Sequence, residues 1–403
     1  MTEKDADQLC ELLNQTYNTY WVNQYPALND IFTQVRDIYE KYPNKFKKAN
    51  KTLLGLIYNL NNPNQPTPDY ITGPGEISKW ESVKHNKIIY LFGENDHGNK
   101  TGCKNKINLT GRKHMSIEKY ILKLIETSPV FIDFYVEFGV MLDYKEQIYY
   151  NSGQTLWDML AVVHQCFGPV IERDCPYPVR MHGVDSRSVQ SSKYQIDYFS
   201  MMNRAIMMML VFKRQKRPYL KIEKFKSSFK TEIKLMSTVK TNQDLIRIMK
   251  KNIKDDKLVM KELKRSTLSE DLILDFFGKH LDKELAKIPY AVRTLDKWFN
   301  YVNKTTTKIW PADSDIVSYI ITVVNAIKMD VYAVARMFKV FNVKESEHYP
   351  KEPQNIIYYA GTGHTHPMGE FLKELNFTRT EHSNMNILSC ASMDGIKQPL
   401  FSL

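Results

Sequence analysis

Three apolar runs in this chain lead into clusters of carboxylate and imidazole side chains. Lys87 to Phe92 (KIIYLF) runs into Gly93-Glu94-Asn95-Asp96-His97-Gly98. Val130 to Val136 (VFIDFYV) holds Asp133 and is followed by Glu137. Asn355 to Tyr359 (NIIYY) runs into AGTGHTH, which carries His364 and His366. Imidazole exchanges a proton near neutral pH, and a carboxylate beside it orients the ring, acts as a base or holds a metal; together they supply what activation of water needs. Glycines flanking His97 and His364 allow a sharp turn and a close approach to substrate. Glu94, His97, Glu137 and His364 are therefore the candidate catalytic residues, with Asp133 and His366 beside them as substrate contacts. Pro178 to Met181 leads into His182-Gly183-Val184-Asp185-Ser186-Arg187-Ser188, where Arg187 is placed to clamp a carboxylate or phosphate with Asp185 fixing its orientation. Plainer roles stand next to these: Glu137 as a helix cap or lysine partner, Asp185 and Arg187 as a pair bracing a loop, and His364-Thr365-His366 as a hydrogen-bonding start to a helix.

Such clusters act together only if the elements before them are neighbouring strands. Apolar periodicity predicts helices within residues 4–62, and the proline- and glycine-rich stretch NNPNQPTPDYITGPGE reads as a loop or boundary. Strand Lys87 to Phe92, helix Ser116 to Thr127, strand Val130 to Val136, a helix around Thr155 to Cys166 and strand Pro178 to Met181 then alternate. Tyr194 to Phe341 is nearly all helical, before strand Asn355 to Tyr359 and a last helix, GEFLKELNF. This order predicts an α/β fold with a mostly parallel central sheet and helices on both faces. The expected organisation is an N-terminal helical region (1–65) and an α/β core (80–400), interrupted by a basic helical insertion at about 213–305. Ligands of open α/β sheets sit outside the carboxyl ends of the strands, so residues as distant as His97 and His364 would share one cleft.

Composition narrows the classes. With 403 residues and 43% hydrophobic content, the chain has ample material for a core. No basic segment followed by an apolar one opens the sequence. The most apolar stretch, Met201 to Phe212, is too short to span a bilayer and reads as a core helix, so a soluble, cytoplasmic protein without membrane contact is expected. Five cysteines, an odd number without a CxxC pair, predict reduced thiols. The formal charge of +11 is concentrated: from Lys213 to Arg265 there are 18 Lys or Arg against 6 Asp or Glu. That segment is either a solvated helical face or a surface for nucleic acid or an acidic partner. Walker A, GxGxxG, HExxH and GxSxG patterns are absent, which disfavours nucleotide hydrolysis, dinucleotide binding, zincin chemistry and serine catalysis.

GENDHG resembles the GExxHG motif of the erythromycin esterase family, and YYAGTGHTHPMGEFLKELNF resembles the closing strand–GxGH–helix motif of TIKI and TraB proteins. The likeness lies at the two ends of residues 87–377. It implies a hydrolase acting on an ester or amide of a small-molecule or peptide substrate, with Glu94, His97, Glu137 and His364 facing one cleft. TIKI-type proteins are metal-dependent peptidases, which would make His97, Glu137 and His364 ligands of a divalent cation such as Mn, Co or Zn. The His here stands four positions after Gly93, as in the esterases. The contrasting expectation is a catalytically silent binding protein, or a virion-associated structural protein, that uses segment 213–265 to hold nucleic acid or an acidic partner.

Overall fold

The computed structural model describes residues 66–94, 103, 111–128, 130–139, 179–186, 201–203, 205–207, 222–305, 313–341, 350–384 and 389–401. The helices expected within 4–62 and around 155–166, and the site residues His97 and Arg187, lie outside them. Two units divide the chain. One draws on residues 1–138, 143–183 and 340–403, the other on 139–142 and 184–339, a span that contains the expected insertion.

The first unit is built on a six-stranded, mostly parallel sheet in a mixed α/β fold. In chain order its described elements are β1 (Tyr70–Thr72), β2 (Glu76–Ser82), β3 (Lys87–Glu94), β4 (His114–Ser116), α1 (Ile117–Thr127), β5 (Ile132–Gly139) and β6 (Val179–Asp185). After the second unit come β7 (Asn355–Gly361), a helix over Thr362–Glu374, β8 (Thr378–Asn384) and β9 (Cys390–Ser392). The large sheet runs β6-β5-β7-β3-β2-β8, and β4-β1-β9 form a small one. β3, β5 and β7 are the apolar runs of the sequence, as strands covered on both faces must be. β7 pairs in parallel with both β3 and β5, while β2 pairs antiparallel with β3 and β8.

Side chains alternate across the pleat and define two faces. Tyr90, Phe92, Phe134, Val136, Ile357 and Tyr359 pack with Ile117, Tyr120, Ile121, Leu124 and Ile125 of α1, whose spacing forms one apolar stripe. Each such side chain, fully buried, contributes roughly 1.5–3 kcal/mol of transfer free energy. On the opposite face the 362–374 helix packs on β3 and β7. A Cβ at Gly369 would stand 3.1 Å from Cζ2 of Trp80, so glycine there allows the close approach.

Three expectations are corrected. The proline- and glycine-rich stretch holds β1 and the first residue of β2, because backbone pairing with β3, β4 and β9 overrides its turn-forming composition. The last helix begins at Thr362 and not at Gly369, which makes His364-Thr365-His366 the hydrogen-bonding helix start of the alternative reading. Cys103 and Cys390 form a disulfide across 287 positions, which tertiary proximity creates and local spacing does not display.

The second unit is helical over its described length: α2 (Ile222–Ser228), α3 (Lys230–Met236), α4 (Asn242–Asp255), α5 (Lys257–Leu263), α6 (Glu270–Ala286), α7 (Ala291–Lys304) and α8 (Ser314–Met337). Thr241 and Asp244 form a capping box at α4, and Asp256 and Ser269 cap α5 and α6 through side-chain oxygens. α8 has the length and apolarity of a membrane span, yet most of it is buried, and it packs on α4 to α7. It also carries the buried Asn325, Lys328 and Asp330, and Lys328 pairs with Asp256 at 2.5 Å. Part of the basic segment is neutralised within the unit: Lys240 pairs with Asp296, Lys250 with Asp275 and Lys254 with Glu270.

Candidate functional site

The helix Thr362–Glu374, α9, begins where β7 ends, and the strand registers decide what surrounds its first turn. Glu94, the last residue of β3, stands opposite Gly361 of β7; on the other side Val136 of β5 stands opposite Tyr359, which brings Glu137 level with the end of β7. β2 runs the other way, so its first residue, Glu76, stands opposite Gly93 at the same edge. Four adjacent strands thus present Glu137, Gly361, Gly93-Glu94 and Glu76 along one edge, at about 4.8 Å per strand.

Glu137 makes two contacts here. Its Oε2 accepts a hydrogen bond from the Gly361 N–H at 2.8 Å, and its Oε1 lies 3.3 Å from Nε2 of His364. Both side chains are mostly buried, 12% and 8% exposed, so their interaction is screened less than one on the surface. The carboxylate at Nε2 orients the His364 ring. Apart from its chain neighbours and the adjoining helix backbone, no described atom lies within 4 Å of where a Cβ of Gly363 would be.

Glu94 is buried and lies near Tyr359. The Tyr359 phenol is held well above its ordinary pKa, first by burial, then by the carboxylates of Glu94, Glu118 and Glu137. It is a neutral hydroxyl at any physiological pH. On the far side of α9, Glu76 accepts from Oγ1 of Thr365 at 3.0 Å and lies 3.0 Å from Nε2 of the exposed His366. Burial alone would raise the Glu76 carboxyl, but His366 and Thr365 outweigh it and hold the group below its usual value.

The expected site residues therefore separate. Glu94, Glu137, His364 and His366 come to one edge of the sheet. Asp133 does not: it is the second residue of β5, opposite Ile356, and every contact it makes is internal. Arg180 grips it through Nε–Oδ1 (2.7 Å) and Nη2–Oδ2 (3.2 Å), and His182 Nε2 lies 2.8 Å from Oδ1. Arg180 also donates to the Pro350 carbonyl and lies over the Phe341 ring, and His182 stacks on Tyr135. Although burial opposes its charge, the Arg180 guanidinium and the His182 hydrogen bond keep the Asp133 carboxyl below its ordinary pKa. Its place in the strand makes it part of a buried ion cluster rather than a substrate contact. Asp185 is the last residue of β6.

Sequence reasoning missed Glu76, Thr365 and Tyr359. Glu76 fell in the presumed loop, although alternation in EISKW was a usable strand signal, and Tyr359 read only as core. Among the described residues no three His, Cys, Asp or Glu side chains are grouped to hold a metal ion. Of the implied ligand set, Glu137 and His364 are adjacent, and Glu137 already serves Gly361 and His364. Comparisons of the chain with family models, curated proteins and solved structures return no match.

Proposed function

We propose that the sheet-bearing unit is a hydrolase of the erythromycin esterase, TIKI and TraB kind, cleaving an ester or amide with water activated by His364. The observation that carries this reading is the placement of the Glu137 carboxylate between the Gly361 N–H and the His364 ring at the end of parallel strands. In the reaction, a water oxygen attacks the substrate carbonyl carbon and gives a proton to His364 Nδ1. Glu137 stabilises the imidazolium that forms and keeps the ring oriented. The carbonyl electrons move to its oxygen, where the positive end of α9 disperses the developing charge. Collapse re-forms the carbonyl, breaks the C–O or C–N bond, and a proton returns from the imidazolium to the leaving alkoxide or amine. Proton transfer by a positioned group supplies about 10²–10⁴-fold of rate. Glu94 and His97 of GENDHG enter through the family resemblance.

The test is turnover of a panel of aryl esters, alkyl esters and peptides by the wild type, His364→Ala and His97→Ala, each with and without Mn²⁺ or Zn²⁺. His364→Ala is expected to lose at least about 10²-fold in kcat. Equal rates for all three proteins on every substrate would remove the proposal.

A second reading, binding of nucleic acid or an acidic partner through the helical unit, draws on one observation. Lys257, Lys261 and Lys264 stand at i, i+4 and i+7 around α5 and are all exposed, so one face presents three positive charges. Retention on heparin that falls with salt, and falls further for the triple Lys→Glu variant, supports it; no retention at low salt ends it.

A further inference from the structure

The first turn of α9 has little of its own to hold it. Its N-cap is Gly361, which has no side chain to accept the orphan N–H groups, and Pro367 has no N–H to donate back to the Gly363 carbonyl. Its position is set from outside, by carboxylates of two strands that are not neighbours. From β5, Glu137 takes the Gly361 N–H and the His364 ring. From β2, on the other side of β7 and β3, Glu76 takes the Thr365 hydroxyl with one oxygen and contacts the His366 ring.

Gly93 makes the second contact sterically possible. A Cβ there would stand 2.7 Å from Cγ and Oε1 of Glu76 and 2.7 Å from Oγ1 of Thr365. The opening glycine of GENDHG thus has a definite task in addition to its place in a turn: the Glu76 side chain passes over it to reach the helix. Half-buried on its strand and held ionised by Thr365 and His366, Glu76 is a fixed anchor and not a solvated surface acid.

We infer that Glu76 is a positioning residue for His364. By holding Thr365 and His366 it fixes the rotation of the α9 first turn, and so the place of the His364 ring against Glu137. This rests on the hydrolase reading for its effect on rate, but not for its effect on geometry. The His364–Glu137 separation of 3.3 Å is long for a charge-assisted contact, so a small rotation of the turn would break it. A displacement of about 1 Å at a reacting group costs about 10²-fold.

Four variants, Glu76→Ala, Glu76→Gln, Thr365→Val and Gly93→Ala, are compared with wild type by 4-nitrophenyl acetate hydrolysis, thermal midpoint and imidazole ¹H–¹⁵N spectra, with the His364 ring assigned through His364→Gln. Glu76→Ala and Gly93→Ala are expected to lower kcat by about ten- to a hundredfold with KM within a factor of three, and to move the His364 ring resonances. Thr365→Val, which removes one contact and keeps the shape, should give a smaller loss in the same direction. Glu76→Gln, which still accepts from Thr365, should recover at least tenfold of what Glu76→Ala loses. Unmoved His364 resonances in Glu76→Ala and Thr365→Val overturn the inference. So does a Glu76→Gln variant as impaired as Glu76→Ala, with rate and thermal midpoint falling together. A wild type that hydrolyses no ester counts against the hydrolase reading alone, and the ring spectra then decide the role of Glu76 by themselves.

Discussion

Asp133 and Glu137 stand on the same face of one strand, four residues and about 13 Å apart, under opposite conditions. Asp133 is 1% exposed and is gripped by Arg180 and His182, with the Arg180 guanidinium 3.7 Å from the Phe341 ring centroid. Glu137 lies at the strand end, in contact with a backbone N–H and one imidazole. The first carboxylate is buried against an arginine and an imidazole. The second faces a group whose proton can leave. What separates a structural acid from a candidate catalytic one on this strand is therefore position along the strand, since residue type and face are shared.

The sharpest way to break that contrast is to remove each carboxylate. Asp133→Ala leaves Arg180 buried without its anion and should cost about 3–5 kcal/mol, read from urea unfolding, with the damage falling on stability. Glu137→Gln should do the reverse. The amide still accepts from Gly361, so stability should change by about 1 kcal/mol or less, while ester turnover should fall about 10²-fold. If Asp133→Ala folds normally and Glu137→Gln unfolds the protein, the assignment of roles is inverted.

A smaller effect sharpens the same comparison through pH. The Lys87 amine, buried near Asp133 and Arg180, is brought down from 10.5 to about 8, chiefly by burial. Between those values the unfolded chain binds a proton that the folded chain does not, so this group makes stability rise with pH there. The gain should be about 1 kcal/mol between pH 8.5 and 9.5, and Lys87→Met should abolish it. A flat profile for the wild type would mean that the buried end carries no such strain.

The two ends also differ in how far the sequence disclosed them. β3, β5 and β7 were legible as apolar runs because central strands are covered on both faces, and the carboxylate and imidazole residues after them mark the strand ends. β2 and β8 were not, since EISKWES and TRTEHSN are strands with polar faces and owe their place to pairing with each other and β3. Glu76 was lost with β2. Asp133 was misplaced for a related reason: a carboxylate inside an apolar run looks the same whether its partner is a substrate or an arginine 47 positions away. Tyr359 shows the converse, a core residue of an apolar run whose phenol feels the charge of three carboxylates. Such pairings arise from register, which composition does not contain.

The strand that carries α9 is inserted between β5 and β3, yet it is the last of the three in the chain. Some 200 residues, including the whole helical unit, separate Gly139 at the end of β5 from Asn355 at the start of β7. During synthesis at about 5–20 residues per second, the slot between β5 and β3 therefore stands open for roughly 10–40 s after its walls have been made. Any nascent or prematurely terminated chain that stops before β7 has Glu76, Glu94 and Glu137 but neither His364 nor the helix that presents it. The order of the chain thus acts as a timer that withholds His364 from the site until β7 and α9 have been made.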